Sequence, residues 1–135
     1  MAAKNFTLDI VTPTRTVFSG DVESFSAPGV LGGFQVLYNH APLLSSIAVG
    51  RVKVIDVAGA ELHYATSGGF VEVNENKVIL LAETAERADE IDVQRAEEAK
   101  RRATERLESE ERIEEDRARA ALARALNRLR VASPH

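Results

Sequence analysis

The distribution of glycine, proline and charge constrains the fold of this chain more than any other feature of its sequence. Residues 83–130 hold 26 of the 38 charged residues and contain no glycine or proline. All eight glycines and all seven aromatic residues lie at or before Phe70. A breaker-free segment rich in Ala, Glu, Lys and Arg favours helix, whereas closely spaced glycines favour strands joined by tight turns. The sequence therefore predicts an N-terminal β domain, residues 1–84, and a C-terminal helical domain, residues 90–132.

The composition excludes several classes of function. The formal net charge of -4 leaves no overall basic field to hold nucleic acid or an anionic membrane. No cysteine is present, so disulfides, thiolate metal sites and thiol catalysis are excluded. No apolar run approaches the roughly 20 residues of a membrane span, and the first residues lack the apolar segment of a signal peptide. We expect a cytosolic chain without a nucleic-acid partner and without direct membrane insertion.

Alternation of apolar and polar residues predicts strands in the N-terminal domain. Phe6, Leu8 and Ile10 alternate with more polar neighbours, which is the period of a strand with one buried face. Gly20-Asp21 and Pro28-Gly29 are turn signals. Strands that recur every 8–12 residues or so are typical of an antiparallel β-sandwich or barrel. The other predicted strands cover residues 22–27, 52–57, 62–66, 71–73 and 78–82.

Two features of this domain have a chemical and a structural interpretation. The glycines of Ser67-Gly68-Gly69 suit either a phosphate-binding loop or a tight turn. We favour the turn, because no helical pattern follows and no Lys-Ser/Thr pair completes a phosphate loop. His40 has no acid or nucleophile in a recognisable constellation with it, so we expect a structural histidine. No catalytic residue and no metal site is predicted.

Small side chains at helical spacing predict two helices in the C-terminal domain. The first stripe runs through Ala96, Ala99, Ala103 and Leu107. The second stripe runs through Ala118, Leu122, Ala125 and Leu129. Two helices of about 16–18 residues, folded about residues 111–112, form an antiparallel hairpin. The predicted fold is therefore α+β: an antiparallel β-sandwich followed by a two-helix hairpin.

Arginines are the chemical signal of the C-terminal domain. Arg95 and Arg102 are seven residues apart and share one face of the first helix. Arg124 and Arg128 lie in a segment, residues 120–131, that contains no acid. The hairpin would bring these four guanidinium groups towards the N-terminus of the first helix, where the helix dipole is also positive. Such a cluster suits a polyanion such as phosphate.

A solvated charged face explains the same arginines. An arginine near a helix C-terminus is favourable through the helix dipole alone. Arg102 can form an i,i+4 ion pair with Glu98. The spacing leaves both interpretations open.

Three segments of the sequence resemble the epsilon subunit of the bacterial F-type ATP synthase, and the resemblance covers nearly the whole chain. The segments are His40-Ala41-Pro42-Leu43-Leu44, Ser67-Gly68-Gly69-Phe70-Val71-Glu72-Val73 and Ile91-Asp92-Val93-Gln94-Arg95-Ala96. The first two are specific in combination and order. The third resembles the Ile/Leu-Asp-x-x-Arg-Ala signature of the ATP-binding epsilon subunits.

The resemblance implies a non-catalytic subunit of the rotor. The β-sandwich would bind the gamma subunit and the c-ring, at the cytoplasmic face of the bacterial membrane, with docking residues His40, Pro42 and Leu43. The hairpin would fold against the sandwich or extend, and the extended form would meet the alpha and beta catalytic subunits and inhibit ATP hydrolysis. ATP would be a regulatory ligand that stabilises the folded form, and no cofactor would be required.

The same resemblance implies an ATP site and a hinge. Arginines would meet the phosphates, and the other residues would surround the base. Residues 83–90 would form the hinge between the two domains. Carried over onto this sequence, the ATP site comprises Glu86, Ile91, Asp92, Arg95, Ala96, Arg102, Arg124 and Arg128.

One segment departs from the family pattern. Residues 34–39 read Phe-Gln-Val-Leu-Tyr-Asn, where the family usually has a Gly-Ile-Leu-Pro-like stretch. The loop that faces the ring is therefore expected to differ in shape. Alternatives are the same stalk subunit without an ATP site, or a β-sandwich adaptor protein. A nucleotide-hydrolysing enzyme is disfavoured, because neither a phosphate loop nor a nucleophile–base set is present.

Overall fold

The computed structural model describes residues 4–109 and 115–133 and divides the chain into two compact units. We call Met1–Arg87 the head and Ala88–His135 the tail. The head consists of strands and the tail of helices. The strands are β1 (Phe6–Val11), β2 (Thr16–Gly29), β3 (Gly32–Val36), β4 (Leu43–Ile47), β5 (Gly50–Asp56), β6 (Glu61–Thr66), β7 (Gly69–Asn74), β8 (Lys77–Ala82) and β9 (Ala85–Arg87).

β1 shows why these segments form strands. Phe6, Leu8 and Ile10 are buried, while the residues between them are exposed or half-buried, as the period of two predicts. The same alternation buries Val71 and Val73 on β7. These inward side chains join one continuous core that includes Phe25 and Tyr64. The core therefore forms from side chains whose alternation is visible in the sequence.

The strands pair in the order β1-β8-β7-β4-β2-β5-β6-β9, with β3 paired to β2. β1 also pairs with β2, so five of these strands form a closed circuit of pairing. The neighbouring pairs are antiparallel except β1 and β8, which run parallel. The predicted β-sandwich is confirmed, with this one parallel pair added.

β2 contradicts two predicted turns. Gly20-Asp21 lies inside β2, with Gly20 opposite Leu8 of β1, and Pro28-Gly29 forms the last two residues of the strand. The turn that follows is made by residues 30–31, between the paired Gly29 and Gly32. Continuous pairing with β1 outweighs the local turn preference at Gly20, because alternate residue pairs along that antiparallel ladder exchange backbone hydrogen bonds.

Three strands were not predicted from the sequence. β3 contains the first three residues of the stretch that departs from the family pattern, β4 follows that stretch, and β9 has only three residues. Val36 at the end of β3 is 1% exposed, so the first half of the departing stretch is strand and core. The second half of the stretch belongs to the loop between β3 and β4, residues 37–42. We call it the docking loop because it contains His40 and Pro42.

The tail confirms the predicted pair of helices. α1 (Val93–Glu108) has 16 residues and α2 (Glu115–Ala132) has 18, and they pack in a hairpin-like arrangement. Four of the five alanines of the predicted stripes are buried, most completely Ala96 and Ala118, and Ala99 is half-buried. The predicted turn at residues 111–112 lies outside the described residues. None of the described helices is long and apolar enough to cross a membrane.

Candidate functional site

The N-terminus of α1 is organised by Asp92. This residue is the N-cap: its Oδ1 accepts a hydrogen bond from the backbone N–H of Arg95 at 3.0 Å. Its carbonyl oxygen accepts a second bond, from the N–H of Ala96, also at 3.0 Å. The cap satisfies one of the N–H groups that a helix leaves unpaired at its start. The signature residue Asp92 therefore has a structural role before any ligand is considered.

A surface pocket of about 450 Å³ lies beside this cap. Arg95 and Arg102 present two guanidinium groups along one face of α1, as their spacing predicts. Glu98 lies on the same face between them. The complete lining is Asp92, Gln94, Arg95, Glu98 and Arg102.

This lining combines donors and acceptors. The two guanidinium groups and the positive end of the helix dipole suit the oxygens of a phosphate. The carboxylate of Glu98 and the amide of Gln94 accept hydrogen bonds from hydroxyl or amino groups. The pocket therefore offers both hydrogen-bond donors and hydrogen-bond acceptors.

The structure brings three of the eight predicted ATP residues into this pocket: Asp92, Arg95 and Arg102. Ile91 and Ala96 are 8% and 0% exposed, so their side chains pack inside the protein. Gln94 was not assigned to the site from the sequence, and Glu98 was interpreted as an ion-pair partner of Arg102. The spacing of Glu98, three residues after Arg95 and four before Arg102, was the signal that placed it on the same face.

The other three predicted residues lie elsewhere in the described chain. Arg124 and Arg128 are on α2, the first exposed and the second half-buried, and neither is part of the lining. Glu86 belongs to β9 of the head, in register with Ala65 of β6. The membership of all eight residues in an ATP site stays a prediction.

Two contacts of His40 lie within the docking loop of the head. The N–H of His40 donates to the carbonyl of Leu37 at 3.2 Å. The Nδ1 atom of the same histidine lies 2.6 Å from the carbonyl oxygen of Ala41. These contacts agree with the structural role expected of His40. Beside the loop is a pocket of about 420 Å³, lined by Pro42, Leu43, Leu44, Glu72, Val73 and Asn74.

The outer sheet face next to that pocket exposes large apolar side chains. Leu44 on β4, Phe70 on β7 and Leu81 on β8 are 73%, 57% and 55% exposed. Phe70 lies opposite Leu81 in the β7–β8 pair, and Leu44 lies opposite Glu72 in the β4–β7 pair. We call Leu44, Phe70 and Leu81 the apolar face. Adjacent exposed apolar side chains of this kind mark interaction surfaces.

The glycine motif of the head is a strand connection. Ser67 and Gly68 link β6 to β7, and Gly69 begins β7 with a φ of 149°. The N–H of Ser67 donates to the Thr84 carbonyl at 3.3 Å, and the N–H of Glu83 donates to the Gly68 carbonyl at 3.0 Å. A strand and not a helix follows the glycines, which agrees with a structural role rather than a phosphate loop. β6 pairs with β5 and β9 whereas β7 pairs with β4 and β8, so the link joins two strands that are not partners and is not the predicted tight turn.

Comparisons with known proteins cover both units. The family described as "ATP synthase, Delta/Epsilon chain, beta-sandwich domain" matches residues 5–88. The family described as "ATP synthase, Delta/Epsilon chain, long alpha-helix domain" matches residues 89–133. Together these two matches span nearly the whole chain.

Individual relatives agree with the family matches. The chain is 46% identical to the ATP synthase epsilon chain of Desulforamulus reducens over 131 residues, covering 96% of this chain and 98% of that one. It is 48% identical to the epsilon chain of Nitratidesulfovibrio vulgaris over 129 residues, covering 95% and 96%. A chain of the Euglena gracilis mitochondrial ATP synthase, solved by cryo-electron microscopy with OSCP, F1 and the c-ring, shares the fold with a TM-score of 0.80. That pair is 22% identical and covers 91% of this chain and 78% of the other. The chain therefore belongs to the family of ATP synthase delta/epsilon chains, among the epsilon chains.

Proposed function

We propose that this epsilon chain is a non-catalytic rotor subunit of the central stalk that couples proton transport to ATP synthesis. Its head docks on the gamma subunit and the c-ring. Its tail inhibits ATP hydrolysis when it extends towards the alpha and beta subunits, and ATP stabilises the folded tail. The pocket at the start of α1, with Arg95 and Arg102 on one face, is the observation that carries this regulatory role.

The proposed place in the complex implies a location for the chain at the membrane. It is held at the cytoplasmic face of the bacterial membrane through its partners. The Euglena chain with the same fold was solved in an assembly that contains F1 and the c-ring, which supports a place in such an assembly.

The apolar face supports docking of the head on a protein partner. Its three side chains are each more than half exposed. Phe70 lies directly opposite Leu81 on β8 and diagonally across from Leu44 on β4. An aromatic residue at the centre of an interface contributes a large share of the binding energy. We therefore assign Phe70, which lies between Ser46 and Leu81 in the sheet, as the centre of the surface that binds the gamma subunit.

Replacement of Phe70 by alanine tests this docking surface. We expect the full-length variant to bind an immobilised alpha3-beta3-gamma complex about 30-fold more weakly, since truncating a central aromatic residue costs about 2 kcal/mol. Kinetic binding measurements by biolayer interferometry check this value. The matched control is Val57→Ala, which removes an apolar side chain of similar exposure, 54%, from the β5–β6 turn.

The two variants separate docking from general surface hydrophobicity. Val57→Ala should bind like the wild type. Equal binding by Phe70→Ala and the wild type would show that the apolar face is not the docking surface. Failure of the wild-type chain to bind the complex would contradict the stalk role itself.

The packing of the tail supports a conformational change. The most buried residues that the predicted stripes contribute are alanines: Ala96 and Ala103 on α1, Ala118 and Ala125 on α2. Burial of apolar area stabilises by about 25 cal/mol per Å², so a methyl side chain contributes less than a leucine. A helix pair with this packing has a small free-energy difference between arrangements, which a ligand that binds one of them can shift.

A stalk subunit without an ATP site is the second candidate. It is favoured by the placement of Arg124 and Arg128 outside the lining of the pocket. It is also favoured by Asp92, whose carboxylate already caps α1. Direct titration of the chain with ATP separates the two candidates.

A further inference from the structure

We propose that Asn39 and Asn76 form a clasp that holds the docking loop in the shape its partner binds. The backbone N–H of Asn39 donates to Oδ1 of Asn76 at 2.7 Å. Nδ2 of Asn76 donates in return to Oδ1 of Asn39 at 3.0 Å. The two residues are 37 positions apart, so the pair ties the docking loop to the turn between β7 and β8. The inference rests on the docking role proposed for the head.

Both residues occupy the left-handed region of backbone conformation. Their φ angles are 61° for Asn39 and 60° for Asn76. Asparagine is one of the few residues with a side chain that tolerates this region, whereas glycine adopts it without strain. Asparagine therefore does two things at these positions. It tolerates the left-handed backbone conformation, and its side-chain amide makes the hydrogen bonds that glycine could not make.

Asn76 also fastens a third segment. Its carbonyl oxygen accepts a hydrogen bond from the N–H of Thr7 at the start of β1, at 3.0 Å. The clasp therefore anchors the docking loop to a turn that is itself held by the sheet. A loop fixed in this way loses less conformational freedom when it binds than a loop that is mobile in the free protein.

The surface that the clasp presents is apolar. Leu37 and Tyr38, directly before Asn39, are 52% and 43% exposed. At the C-terminal end of the loop, Pro42 and the following Leu43 line a pocket that also includes Asn74. Asn74 precedes the clasped turn by one residue. The clasp thus sets the position of the loop relative to both the exposed tip and the pocket. The pocket also includes Leu44 of the apolar face, so the proposed partner of the loop is the gamma subunit, to which that face is assigned, rather than the ring that the family resemblance places there.

The hydrogen-bond directions make the two positions unequal, which gives a sharp test. The side chain of Asn39 only accepts, so Asn39→Asp keeps both bonds of the clasp. The side chain of Asn76 both accepts and donates, so Asn76→Asp loses one bond and sets a carboxylate against Oδ1 of Asn39. Each variant adds one negative charge at the same end of the head, so charge alone does not distinguish them.

Binding of the full-length variants to the alpha3-beta3-gamma complex tests the proposal. We expect Asn76→Asp to bind about tenfold more weakly and Asn39→Asp to bind like the wild type, because only the first breaks the clasp. Thermal unfolding of the free chains, followed through the tyrosines of the head, establishes that all variants are folded at the temperature of the binding measurement.

Glycine variants give an independent set of expectations. Asn76→Gly loses both bonds, whereas Asn39→Gly keeps its N–H donor and loses one. We expect Asn76→Gly to be the weaker binder, and the double variant to be no weaker than Asn76→Gly, because the two positions share one interaction. Hydrogen exchange of the residue 39 amide should be slow in the wild type and fast in Asn76→Gly.

Three outcomes would overturn the clasp. The first is wild-type binding by Asn76→Asp. The second is equal weakening by both aspartate variants, which would indicate charge. The third is rapid exchange of the residue 39 amide in the wild type. A wild-type chain that does not bind the complex would instead overturn the proposed docking role, and this inference with it.

Discussion

Replacement of Gly69 by alanine is expected to destabilise the head by about 3–5 kcal/mol, a large part of the stability of a domain of this size. Gly69 begins β7 with a φ of 149°, a conformation that residues with a side chain rarely adopt. A methyl group there would overlap the backbone oxygen of Leu81 and lie 2.9 Å from Cα of Ala82. Neither backbone atom can move without disturbing the β7–β8 pair.

Gly32→Ala is the matched control for this prediction. Gly32 has a similar φ, 134°, but a methyl group there would have no atom of a non-adjacent residue within 4 Å in the described part of the chain. It should therefore show only the conformational cost, about 1–3 kcal/mol. Urea unfolding followed by tyrosine fluorescence isolates the head, because both tyrosines lie there and the chain contains no tryptophan. Equal destabilisation by the two variants would show that the close approach of the Leu81 backbone is not the reason why position 69 requires glycine.

The fold of the head was predictable where side chains alternate and unpredictable where pairing overrides local preference. β1 and β7 bury every second residue, so their sequences specify both the strand and its inner face. Gly20 is a turn former that nevertheless lies inside β2, because its pairing with Leu8 of β1 outweighs the local preference, and the residues around Gly20 do not reveal that pairing. β9, with three residues, is too short to show a period.

In the candidate sites, too, local geometry was predictable from the sequence and the packing of distant segments was not. Arg95 and Arg102 were placed on one face from their spacing alone, because an α-helix fixes the geometry between residues seven apart. The positions of Arg124 and Arg128 relative to them depend on how two helices pack, which spacing does not specify. The clasp of Asn39 and Asn76 had no signal in the sequence, since it joins two loops through side chains 37 residues apart.

Replacement of Arg95 by alanine is expected to lower the affinity for ATP about 10- to 100-fold. Removal of a charged hydrogen-bond donor from a phosphate costs about 1.5–3 kcal/mol. Arg95 lines the pocket beside the capped start of α1, where the helix dipole adds to its charge. Arg102→Ala should act in the same direction, since its side chain lines the same pocket.

Arg101→Ala is the control for charge. Arg101 neighbours Arg102 on the same helix but is not part of the lining, and its Nε lies 4.0 Å from Oε1 of Glu105. Its replacement removes the same charge from the tail without removing a group from the pocket. An exposed pair of this kind contributes little to stability, so the fold should be unaffected. Equal losses of ATP affinity in Arg95→Ala and Arg101→Ala would indicate a general electrostatic attraction.

Calorimetric titration of ATP into the isolated full-length chain tests the regulatory role most directly. We expect saturable binding of one ATP per wild-type chain, retained in Arg101→Ala and weakened in Arg95→Ala. Absence of binding heat in the wild type at millimolar ATP, or undiminished binding in Arg95→Ala, would contradict the proposal that the pocket at the start of α1 senses ATP.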